Sequence, residues 1–155
     1  MKEALALDTD SYETFRGDLS EALVPVWDLS WEGERRSLSV QALEDGTVAS
    51  LYRWESSPSA ACSGDGFPSF PETGGTEDRA AAEAFLARVL RRGEAVELED
   101  AEGAAFLGGS DSAWSGTLVL NGLPSPLHYS IRVEDGLVEH FSRDVPETAA
   151  IGGVP

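Results

Sequence analysis

The sequence predicts an α+β fold in which antiparallel strands are packed by one main helix over residues 77–92. Three observations carry that prediction. The stretch EDGLVEHFSR at 134–143 nearly repeats EDGTVASLYR at 44–53, and similar lead-ins precede both, Ser37-Leu38-Ser39-Val40 and Ser130-Ile131-Arg132-Val133. Asp-Gly favours the positive φ angles of tight hairpins, so each copy reads as strand, turn, strand. Between the copies lies one stripe of helical periodicity. The remaining apolar runs are short and joined by short turns, which implies antiparallel pairing.

Taken in order, residues 1–23 are ambiguous: Leu5 and Leu7 suit a strand, and Tyr12, Phe15, Leu19 and Leu23 suit a loose helix. Residues 24–55 read as β. Trp27, Leu29 and Trp31 alternate with Asp28 and Ser30, which puts the three apolar residues on one face. Glu32-Gly33-Glu34 turns the chain, Ser37–Leu43 forms a second strand with Leu38 and Val40 on one face, and Val48–Trp54 returns as a third. Residues 57–76 are a linker whose prolines and glycines interrupt any ladder or helix, with Phe67 and Phe70 tacking it to the body.

The helix follows. Thr76 caps it, Glu77 and Asp78 sit at the positive end of its dipole, and Arg88, Arg91 and Arg92 sit at the negative end. Gly93 fits the left-handed stop. Ala82, Phe85, Leu86, Val89 and Leu90 form one buried stripe. Beyond it, Val96 and Leu98, Ala105–Leu107, Trp114–Leu120, His128–Val133 and Leu137–Arg143 read as strands, with a proline-containing loop at Asn121–Pro126. The implied organisation is a partial N-terminal β unit at 1–56, the linker at 57–76, a helix-plus-strand unit at 77–145 and a tail at 146–155.

The charge balance bears on partners. The chain has 155 residues, with 28 acids against 11 bases and a formal charge of −17. Phosphate backbones reward Lys and Arg, so this balance argues against nucleic acid, and anionic membrane surfaces are disfavoured likewise. Basic proteins, cations and neutral surfaces remain as partners, and acidity also keeps a domain soluble. No run reaches transmembrane length, and no apolar core of a signal peptide is visible. Cys62 is the only cysteine, without a neighbouring base to activate it.

Chemistry-bearing motifs are sparse. His128 and His140, one on each arm of the second hairpin, could with Glu139 hold zinc, but no tight ligand spacing supports it. In the simplest two-residue hairpin His140 pairs with Ile131. Glu97, Glu99, Asp100 and Glu102 form an acidic run that reads as a solvated turn. Trp114-Ser115-Gly116 lacks the leading glycine of a nucleophile elbow, and no phosphate loop or dinucleotide fingerprint occurs. The expectation is therefore no catalytic residue, no metal and no cofactor. Trp27, Trp31, Tyr52, Trp54, Trp114, Tyr129 and Phe141 all fall on strands, and any aromatic cluster left exposed becomes a partner-binding candidate.

The order Ala81-Ala82-Glu83-Ala84-Phe85-Leu86, then strands, then Asn121-Gly122-Leu123-Pro124, then Ser130-Ile131-Arg132-Val133 and Asp135-Gly136-Leu137-Val138 resembles the YcdB/YcdC repeat, a relative of the PepSY domain. Residues 24–54 resemble the hairpin end of a preceding copy. That copy has no recognisable Ala-rich helix before it, and Gln41-Ala42-Leu43 would lengthen or bulge its hairpin. The resemblance implies a PepSY-like fold and an extracytoplasmic or cell-envelope bacterial protein whose leader is absent from this chain; a cytoplasmic location is the alternative that the missing signal peptide leaves open. It also implies a non-enzymatic inhibitory or regulatory module that binds a protein such as a peptidase. Two alternatives stand beside it: a free-standing acidic inhibitor or immunity-type protein masking a basic surface, and a hydrolase or sugar-binding domain.

Overall fold

The computed structural model describes residues 5, 7–20, 24–56, 76–100 and 112–145. The strands are β1 (Thr14–Ser20), β2 (Val26–Gly33), β3 (Arg36–Leu43), β4 (Val48–Glu55), β5 (Glu94–Val96), β6 (Glu99–Asp100), β7 (Ser112–Leu120), β8 (Leu123–Glu134) and β9 (Leu137–Arg143). One helix, α1, spans Thr76–Val89. All nine strands join one sheet in the order β1-β2-β3-β4-β9-β8-β7-β5, with β6 also pairing β7. Every pairing is antiparallel.

This corrects the α+β expectation. The helix is 14 residues long and packs mainly on β8 and β9, while the sheet dominates the chain. The physical reason is that β4 pairs with β9, so strands from both ends of the sequence share one ladder. Residues 14–20, which suited a helix by spacing, form strand β1 instead. The predicted loop at 121–126 is mostly strand: only Asn121 and Gly122 turn, at φ 50° and 81°, and β8 begins at Leu123. Pro124 and Pro126 lie on the stretch of β8 that precedes its pairing with β9, where a strand tolerates a missing amide donor. The linker up to Gly75, the segment 105–107 and the tail 146–155 lie outside the described residues.

The repeated sequence is a repeated structure. In the first hairpin Gln41 pairs Ser50 and Ala42 pairs Val48, which leaves Ala49 as the bulge residue. In the second, Arg132 pairs His140 and Val133 pairs Val138, which leaves Glu139. Ala49 and Glu139 hold the same place in the two copies. Val48 and Val138 are both buried, as are Leu51 and Phe141. Where the copies meet, Leu51 pairs Phe141, Ser50 pairs Ser142 and Tyr52 pairs His140. Leu51 thus faces its own counterpart, Phe141, and the two flanking pairs exchange under a local two-fold axis through that pair. The turns differ, however. Asp135 and Gly136 form a two-residue turn with both φ angles positive, as a tight hairpin requires. At Asp45 only Gly46 is positive, and Leu43 N–H bonds Thr47 O at 2.8 Å across a longer loop.

The core lies between one sheet face and α1. Ala82, Phe85, Leu86 and Val89 are buried, as the helical stripe anticipates, and the Phe85 ring sits edge-on to Phe141 at 5.2 Å. Leu38, Val40, Leu51, Ile131, Val133 and Phe141 are each at most 1% exposed beneath it. The helix ends at Val89, short of the expected residue 92; Leu90 N–H still bonds Leu86 O at 2.9 Å, and Gly93, at φ 88°, belongs to the following turn, where Glu94 N–H bonds Arg91 O at 3.0 Å. The ends of the helix clasp the two Asp-Gly turns. Asp78 accepts Gly136 N–H at 2.8 Å and Ser112 Oγ–H at 2.8 Å, while Arg91, just beyond the last turn, reaches Asp45 and Thr47. Asp78→Ala removes two bonds to a charged acceptor, each contributing about 1.5–3 kcal/mol. The expected result in urea unfolding is a loss of about that size with an unchanged slope. A variant as stable as the parent would show that the clasp contributes nothing.

Candidate interaction surface

Alternation fixes which side chains share a face. Trp31, Leu29 and Trp27 pair with Leu38, Val40 and Ala42, so they lie on the core face, as the sequence anticipates. Phe15, Gly17 and Leu19 pair in turn with Trp31, Leu29 and Trp27. Burial fades along this face toward the sheet edge. Trp31 is 3% exposed, but Trp27 is 39%, Leu19 41% and Phe15 59% exposed. Phe15 still leans on Trp31, with ring centroids 5.1 Å apart. Gly17 allows the close approach beside it, because a Cβ there would lie 3.2 Å from both Leu29 Cδ2 and Phe15 Cζ.

β1 is the outermost strand of this edge. All seven of its residues are exposed, and among the described residues it pairs only with β2. One row of its backbone donors and acceptors is therefore open to pairing, a form of edge that proteins usually shorten, cover or charge. On its opposite face Arg16 and Asp18 form an ion pair at 2.5 Å. Asp28 and Glu32 flank it, as Asp28 pairs Asp18 and Glu32 pairs Thr14 in register. The edge is thus apolar on one face and predominantly acidic on the other.

The other sequence candidates fall elsewhere. His140 pairs Arg132, because the Glu139 bulge shifts the register by one residue, and Ile131 pairs Phe141 instead. His128 lies four residues along β8, about 13 Å away at ~3.3 Å per residue. Its N–H bonds Asp144 Oδ2 at 2.9 Å, and Glu139 is held by Arg132 at 2.9 Å. Burial and the Arg132 charge push the His140 imidazole below its ordinary value. Among the described residues no group of three or more His, Cys, Asp or Glu could hold a metal ion. In the acidic run, Glu99 and Asp100 form β6, and the Glu97 carbonyl accepts the Tyr129 hydroxyl. Burial, followed by the Glu99 charge, pushes that phenol up to about 12. Glu102 and Cys62 lie outside the described residues. Trp114, Tyr129 and Phe141 are core, whereas Tyr52 and Trp54 are half-exposed on the outer face. Sequence reading missed Phe15 and Leu19 as surface residues; the exposed period of two in Thr14–Ser20 was the signal for them.

No family model, curated protein or solved structure matches this chain. Among the described residues, no helix is long and apolar enough to cross a membrane.

Proposed function

We propose that this chain is a non-enzymatic protein-binding module, which adds an extended segment of a partner protein to the free edge of β1. The observation that carries this reading is a seven-residue strand exposed throughout, with one edge unpaired among the described residues and with Phe15, Leu19 and Trp27 open on one face. In strand addition, main-chain bonds supply affinity and alternate side chains supply specificity. The partner segment accordingly carries apolar residues at every second position, over Phe15 and Leu19. Its other face carries Lys or Arg opposite Asp18, Asp28 and Glu32. A second copy of this chain is the poorer occupant, since each copy has a formal charge of −17. In this reading the chain acts as PepSY-like regulatory modules do, outside the cytoplasm, on a peptidase or another envelope protein.

Selection of random peptides displayed against the chain tests this. The expected peptides alternate apolar with basic residues. Their affinity falls about tenfold or more with Phe15→Ser or Leu19→Ser, since each deletes a central apolar anchor. Affinity also falls as added salt shortens the Debye length from about 10 Å to about 3 Å. Peptides that bind both variants as well as the parent would overturn the proposal.

A further inference from the structure

A cavity of about 280 Å³ opens where the α1–β5 turn, the β3–β4 turn, the β7–β8 turn and the end of β9 converge. Its walls are mainly apolar, from Leu43, Leu120 and Leu127, and three arginines line it: Arg91, Arg92 and Arg143. The whole chain has only 11 bases against 28 acids, so three in one cavity reverse the overall charge pattern. One acid, Glu94, lines the same space.

The arginines differ in how they are engaged. Arg143 is buried, its side chain 4% exposed, and its two terminal nitrogens bond Glu94 at 2.9 and 2.7 Å. Its Nε is buried without a hydrogen-bond partner. Arg91 is committed to Asp45 and Thr47. Arg92 is exposed and has no ion pair among the described residues. Thr47 and Asn121 add further polar groups to the lining.

We infer that this cavity is a binding site for a small carboxylate with an apolar body. The apolar walls take the body, and Arg92 at the mouth takes the charge, while Arg91 and Arg143 are balanced by Asp45 and Glu94. Arginine suits this role because its fork matches the two oxygens of a carboxylate. The size fits as well: at about 30 Å³ per water, the cavity holds roughly nine water-sized groups, and hexanoate is about that large. The same chemistry is presented by a free aliphatic acid and by the apolar C-terminal residue of a peptide.

The test is an NMR titration of the full chain with hexanoate, with hexanamide and with N-acetyl-glycyl-leucine as the free acid. Saturable shifts of the Arg92, Gly93 and Asn121 amides by the acids, and not by the amide, are expected. Arg92→Gln weakens acid binding about tenfold, the loss expected for one charge-assisted bond. Arg92→Lys recovers part of it. Because Arg92 is exposed and has no ion pair among the described residues, both variants keep the fold. Tighter binding of hexanoate identifies a free acid as the natural ligand class, and tighter binding of the peptide identifies a protein C-terminus. Equal binding of hexanoate and hexanamide, unchanged binding by Arg92→Gln, or no saturable shift would overturn the inference.

Discussion

Phe141→Ala lowers the unfolding free energy by about 3–5 kcal/mol, the range for removing a fully buried phenylalanine. Phe141 is 1% exposed and lies at the seam of the two halves, paired with Leu51 on β4 and Ile131 on β8. Phe85 of α1 packs against its edge, an aromatic contact of about 0.5–1.5 kcal/mol beyond area burial. One substitution therefore loosens the helix, the second hairpin and the strand pair that unites the sheet. Phe141→Leu, which places the first hairpin's residue in the second, costs less. Tyr52→Ala, on the neighbouring rung but the outer face and 47% exposed, changes stability by far less than Phe141→Ala. Urea unfolding of the three variants decides the matter. A Phe141→Ala loss no larger than that of Tyr52→Ala would remove the seam from the account.

Glu94→Leu destabilises by about 3–5 kcal/mol, because it leaves the Arg143 charge buried without its partner. Both side chains are under one-tenth exposed, and the carboxylate also accepts Arg91 N–H at 2.9 Å. Adding Arg143→Met to the same chain recovers most of the loss, since well-packed apolar pairs replace buried ion pairs at little cost. The pair also sets a pH dependence. Burial opposes ionisation of Glu94, but the bonds from Arg143 and Arg91 outweigh it and hold the carboxyl below its ordinary 4.5. A carboxyl lowered in the folded state contributes stability that is present above its unfolded value and is lost as pH falls through the folded one. The parent chain thus loses stability below about pH 4.5, and Glu94→Leu flattens that part of the curve. An equally steep acid limb in the variant would show that other carboxylates govern it.

How far the sequence disclosed this structure follows from its periodicities. Helix α1 was legible because its stripe and acidic start agree, although it ends at Val89, before the expected stop at Gly93. The hairpins were legible because Asp-Gly and period-two alternation agree; Gln41-Ala42-Leu43 lead into the longer first turn, whereas the bulge residue, Ala49, lies on the returning strand, as Glu139 does in the second copy. Strand β1 was not, because Phe15 and Leu19 are four residues apart, a spacing that suits one helix face and one strand face equally. Tyr12 and Leu23 then tipped the reading toward a helix. The union of the halves was not legible either, since β4–β9 pairing joins residues about ninety apart and leaves no local mark. That long-range pairing turned an expected helix-packed sheet into a single large one. The cavity arginines come from α1's exit and from β9, and only the fold brings them together.

Backbone amide exchange along β1, with and without a peptide selected against the chain, shows whether the edge adds a strand. In the free chain the β1 amides that face away from β2 exchange quickly, and the bound peptide protects them while the β9 amides stay unchanged. Amides of β1 already protected in the free chain, or left unprotected by a bound peptide, would contradict an open edge that recognises its partner by adding a strand.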